Sequence, residues 1–140
     1  MRTALITTGL LASLYGSAAA AMDPGAQEVL DQGHWGLITQ NLSDEAVALA
    51  RSCEGPWISF AFSETEVQLI SHEGKTPPTA PPQVFAATEV ERDTRSTIVK
   101  LFTAEGDKKP AAVFTYDASV KSLMAMGEDG DGTDLYALCE

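Results

Sequence analysis

The chain of 140 residues is 44% hydrophobic and 21% charged, the composition of a single folded domain and not of a disordered or fibrous chain. Twenty Asp and Glu against nine Lys and Arg leave a formal net charge of -11, which argues against nucleic acid or an anionic lipid surface as the partner. Its only adjacent basic pair, Lys108-Lys109, falls in a turn.

The first residues read as an address and not as fold. Arg2 precedes a charge-free apolar run from Ala4 to Tyr15, and Gly16-Ser17-Ala18-Ala19-Ala20-Ala21 follows. A basic start, a short apolar core and a small-residue exit predict a secretory signal peptide over residues 1–20, cut after Ala20 or Ala21. A run of that length falls short of the about 20 residues needed to cross a bilayer. The expected mature product is one globular domain, 21–140, periplasmic or secreted and without a membrane span. Losing Arg2 takes the net charge from -11 to -12.

Asp23-Pro24 reads as a helix start, with Ala26, Val29 and Leu30 as its apolar face and Gly33 as its stop. Trp35, Ile38 and Leu42 keep helical spacing, although Gly36 and Thr39 weaken a helix there. Ser43 with Asp44 and Glu45 is a second helix start, sufficient to account for the Ser of Asn41-Leu42-Ser43, which also spells a glycosylation acceptor. Ala46, Leu49, Ala50 and Cys53 share one helical face until Gly55-Pro56 ends it. Ile58, Phe60 and Phe62 then alternate with Ser59 and Ala61, so the apolar period switches from 3.6 to 2.

From there the chain reads as strands. Glu66 to His72, Val84 to Arg92, Thr97 to Thr103 and Ala111 to Asp117 follow, with turns at 63–65, 93–96 and 105–110. Residues 74–82 carry two Pro-Pro pairs and predict a stiff surface loop. Ser119 to Gly127 fits helix or strand, and the acidic turn 128–132 before Leu135 and Ala137 favours a final hairpin.

The expected class is therefore α+β: short N-terminal helices followed by a curled antiparallel meander of six or seven strands, a half-barrel or small barrel. Cys53 and Cys139, the only two cysteines, predict one disulfide in an exported chain. Joining the start of the first meander strand to the end of the last requires the sheet to curl.

No catalytic, cofactor or metal constellation stands out. His34 and His72 have no evident nucleophile or carboxylate beside them in sequence. Asp129-Gly130-Asp131-Gly132-Thr133-Asp134 resembles a calcium loop until the sixth position, where Asp134 replaces the required Gly. Glu64/Glu66 and Glu89/Glu91 would share a strand side, where like charges raise a proton affinity, but exposed pairs do no more than solvate a surface. Ordinary core packing explains most of Trp57, Phe60, Phe62, Phe85, Phe102, Phe114 and Tyr116, while a curled sheet can instead leave an aromatic-lined concavity partly open as a pocket for an apolar ligand. The functional expectation is a non-enzymatic exported binding module for an envelope protein. A carrier of a small apolar ligand in the curled sheet is the alternative, and a small hydrolase using Asp117 or the Glu pairs ranks third. Nothing in the sequence sets an oligomeric state.

Overall fold

The computed structural model describes residues 22–38, 42–104, 109–126 and 133–140. The signal-peptide reading, its cleavage residues Ala20 and Ala21, the glycosylation acceptor and the resemblance to a calcium loop lie wholly or largely outside the described residues.

Among the described residues two helices and nine strands follow in order: α1 (Pro24–Leu30), β1 (Trp35–Ile38), α2 (Asp44–Ser52), β2 (Pro56–Phe62), β3 (Val67–Glu73), β4 (Gln83–Phe85), β5 (Ala87–Arg92), β6 (Thr97–Phe102), β7 (Ala112–Asp117), β8 (Ser122–Met126) and β9 (Thr133–Leu138). They form one antiparallel sheet in the order β4-β3-β2-β1-β9-β8-β7-β6-β5. Its two outermost strands are consecutive in the chain, with only Ala86 between them, so the sheet is a nearly closed barrel. Ala86 is an inserted residue: Phe85 before it and Thr88 after it are both buried, which shifts the inward parity, and its N–H donates to the Phe102 carbonyl at 2.8 Å.

Alternation decides what fills the barrel. Ile58 and Phe60, Val67, Val99 and Leu101, Phe114 and Leu123 all point inward and are at most 6% exposed. α1 adds Ala26, Val29 and Leu30 to the same core. It starts as the sequence predicts, with the Asp23 carboxylate accepting from the Gly25 N–H at 2.9 Å and Pro24 at the first position. The Asp23 N–H donates to Thr88 Oγ1 at 2.7 Å, satisfying the buried hydroxyl and tying α1 to β5. Trp35 is fully buried, and its indole N–H donates to the Leu30 carbonyl at 2.9 Å.

The expected meander was short by two or more strands. Trp35–Ile38 is a strand despite its helical spacing, because it pairs with both β2 and β9 and places Trp35 in the core. Val84 to Arg92 is divided at Ala86, and the ambiguous 119–127 contains β8, paired with β7 and β9. Burial between two neighbours overrides a local period in segments this short.

The second helix does not fill the barrel mouth. α2 lies on the outer wall over β1 and β9, where Ala50 packs with Ile38 and Ala137, and Ala46 and Val47 join them. Leu49, expected on the buried face, is 47% exposed. Gly36 permits this contact: a Cβ there would stand 1.7 Å from the Ala50 carbonyl oxygen. Cys53 caps α2 in the left-handed region at φ 56° and is bonded to Cys139, with 5.8 Å between their Cα atoms. β1 separates the two strands that this disulfide serves, so the bond spans the β2-β1-β9 segment and does not join neighbours. Among the described residues no helix is long and apolar enough to cross a membrane.

Candidate functional site

The two histidines and Trp57, remote in sequence, meet on the outer wall. Ile58 and Phe60 face inward, so Trp57 and Ser59 face out; the hairpin register sets Trp57 opposite His72. On the other side Trp57 faces Gly36, which has no side chain, and His34 just before β1 fills the adjoining space. The result is a ladder of three rings. Trp57 and His72 lie 3.7 Å apart with planes within 4°, and His34 and Trp57 lie 4.2 Å apart at 24°. The two imidazoles are 6.5 Å apart with the indole between them.

Hydrogen bonds hold the ladder. The Trp57 indole N–H donates to the Gly74 carbonyl at 2.9 Å. Gly74, at φ +55°, is fixed by its own N–H donating to the Gly55 carbonyl at 2.9 Å, and a Cβ would stand 2.9 Å from the Glu54 carbonyl oxygen. Ser59 Oγ and His72 Nε2 are 2.9 Å apart, the tautomer deciding which donates. The His34 carbonyl accepts from the Cys139 N–H at 2.8 Å, which couples the ladder to the disulfide.

Ser59 and His72 are in reach of each other as nucleophile and base, but catalysis needs an oriented, basic imidazole. Burial lowers the His72 proton affinity below its ordinary value, the neighbouring His34 lowers it further, and no carboxylate contributes. The arrangement favours a neutral, packed imidazole over a general base.

The acidic candidates do not assemble. Asp117, the last residue of β7, accepts from the Ser119 hydroxyl at 2.6 Å and its N–H at 3.0 Å, which hold its proton affinity below the usual carboxylate range. Glu89 and Glu91 lie on β5 beside Lys100; the Glu91 hydrogen bond is the first cause of the raised Lys100 proton affinity. Glu64 lies in the β2–β3 turn and is not on a strand, while Glu66 accepts from the Gln68 amide at 3.1 Å. Burial and then Asp134 push the Tyr136 phenol up to about 12. Among the described residues no group of three or more His, Cys, Asp or Glu is placed to hold a metal.

Most of the aromatics pack in or against the core, as expected of ordinary packing, and they do not form one lined concavity. Phe60, Phe85 and Phe114 are core, with Phe60 and Phe114 edge to face at 5.3 Å; Trp57 and Phe102 alternate outward. The described residues include two surface grooves. One, of about 430 Å³, runs between the start of α1 and the β2–β3 turn and touches Asp23, Gln27, Phe62 and Glu64. The other, of about 240 Å³, lies between β3 and the proline loop, with His72 in its wall.

Trp57 opposite His72 was readable in principle, since a turn at 63–66 sets every pair of that hairpin; His34 carries no such signal. No protein-family model matches the chain, and comparison with curated proteins and with solved structures returns no match.

Proposed function

We propose that the chain is an exported, non-enzymatic binding module, and that its binding face is the outer wall of β1, β2 and β3 with the adjoining proline loop. The observation that carries this reading is the His34–Trp57–His72 ladder. It takes no part in the barrel core, yet its rings are held in register by stacking and by backbone partners. A half-exposed indole in a rigid polar setting is the kind of residue on which protein interfaces concentrate their energy. The proline loop beside it, exposed from Lys75 to Pro82, extends that surface at low entropic cost. The barrel interior is occupied by its own side chains, so a carried apolar ligand has less to recommend it than a partner on the wall.

Chemical cross-linking in the envelope fraction tests the proposal, with wild type compared against Trp57→Ala. A protein partner captured by the first and lost by the second is expected, and equal capture by both removes the ladder from the interface. Ester hydrolysis abolished by Ser59→Ala would instead make the protein an enzyme. Sequencing of the exported protein should find an N-terminus at Ala21 or Met22.

A further inference from the structure

We infer that the groove between His72 and the proline loop takes the guanidinium of an arginine side chain on a protein partner, an inference that rests on the binding reading above. Trp57 and His72 are cross-strand partners stacked nearly parallel at 3.7 Å, so their ring planes stand upright on the wall and the ladder runs across the strands. One face of His72 is covered by the indole. The other points past β3, to the side where a further strand would lie.

Among the described residues no strand lies there. β4 pairs only with Val67, Gln68 and Leu69 and stops before Ser71–Glu73. The chain returns beside Glu73 as the proline loop, held by the Thr76 N–H donating to the Glu73 carbonyl at 3.1 Å. The space left, about 240 Å³, is lined by His72, Glu73, Thr76, Pro77 and Pro78 among others. Its lining includes an imidazole, two prolines and one acidic residue, Glu73.

A flat cation suits such a slot. A guanidinium stacks on an aromatic face and is weakly hydrated, whereas a Lys ammonium is a compact, strongly hydrated charge with no plane to stack. Burial and then His34 lower the His72 proton affinity, which disfavours a charged imidazole beside the cation; Ser59 is its polar partner on the wall, and Glu73 is the acidic residue of the groove's lining. The net charge of -11 draws basic partners toward the surface.

The test is an NMR titration of the full folded domain with N-acetyl-arginine amide, N-acetyl-lysine amide and N-acetyl-tyrosine amide at low salt. The arginine probe should shift the His72 and Thr76 signals and bind about two- to fivefold more tightly than the lysine probe, the ratio expected of exposed stacking. Glu73→Gln, an exposed substitution, should weaken the arginine probe while leaving the Trp57 indole signal in place as a sign of an intact fold. Equal shifts with lysine, tighter binding of tyrosine, or no response to any probe would each overturn the arginine slot. Partner capture that depends on Trp57 without any arginine preference overturns the slot alone and leaves the binding face standing.

Discussion

Trp57 and Met124 both stand on the outside of the barrel wall, each beside two neighbouring strands. Trp57 is stacked on two imidazoles, hydrogen-bonded to Gly74 and half-buried. Met124 sits between Thr115 and Leu135 and is 40% exposed, as is Met126 two residues on. The first wall is also where α2, the disulfide and Gly36 meet, so side chains there are held by tertiary structure as well as by their own strand. On the second wall Met124 and Met126 are placed by pairing with the neighbouring strands. The difference separates a surface whose shape is specified from one whose side chains can adapt, and a specified surface is the better candidate for selective recognition.

Five substitutions or conditions would break or sharpen that contrast. Replacing both cysteines, Cys53→Ser with Cys139→Ser, should have the largest effect, a loss of about 4 kcal/mol, because the bond closes a loop with a sequence separation of 86. Denaturant titration would show it, and reduction should reproduce it in wild type while leaving the double variant unchanged. Gly36→Val should cost about 3 kcal/mol, since the new side chain must push the Ala50 carbonyl and α2 off the wall. A melting temperature within a degree of wild type would mean that α2 is not seated as described.

Trp57→Ala should cost about 2 kcal/mol through two lost stacks and one lost hydrogen bond, without unfolding the barrel. Acidification should act in the same place. The folded His72 value lies below the ordinary 6.5, so its contribution to stability is complete above 6.5 and is lost as the pH falls through the folded value. Thermal melts across that range should show a decline that His72→Gln removes; an identical decline in the variant would place the titrating group elsewhere. The smallest effect belongs to Met124→Ser with Met126→Ser, within about 0.5 kcal/mol as for unconstrained surface sites. A larger loss in calorimetry would erase the distinction between the walls.

What could be read in advance followed from period and compartment. Ile58 with Phe60 and Val99 with Leu101 declared their inward faces because alternation is a property of the strand itself. The Cys53–Cys139 bond followed from a count of two in a chain expected to be exported. β1 was missed because four residues with a glycine among them have no period long enough to measure, and their strand geometry comes from β2 and β9. The helical face of α2 was partly misjudged for a related reason: Gly36 invites Ala50 and Val47 inward, and no local pattern in α2 records a vacancy on another strand. The ladder draws on three elements, and only its Trp57–His72 rung was contained in a hairpin.

The position of β1 also has a consequence in time. Trp35 pairs with Leu138 across nearly the whole domain, while the strands between are joined mostly by local hairpins. On a chain made from its N-terminus, β1 appears early and must wait for its second partner until β9 is complete, and the contact costs the most loop entropy of any in the sheet. We therefore expect closure of the β9–β1 seam to be a late and slow event of folding, with Cys139 brought to Cys53 only as that seam forms. Pulse-labelled hydrogen exchange should find the amides of Leu37 and Ile38 protected after those of the β2–β3 and β6–β7 hairpins; simultaneous protection would mean that the barrel closes in one step.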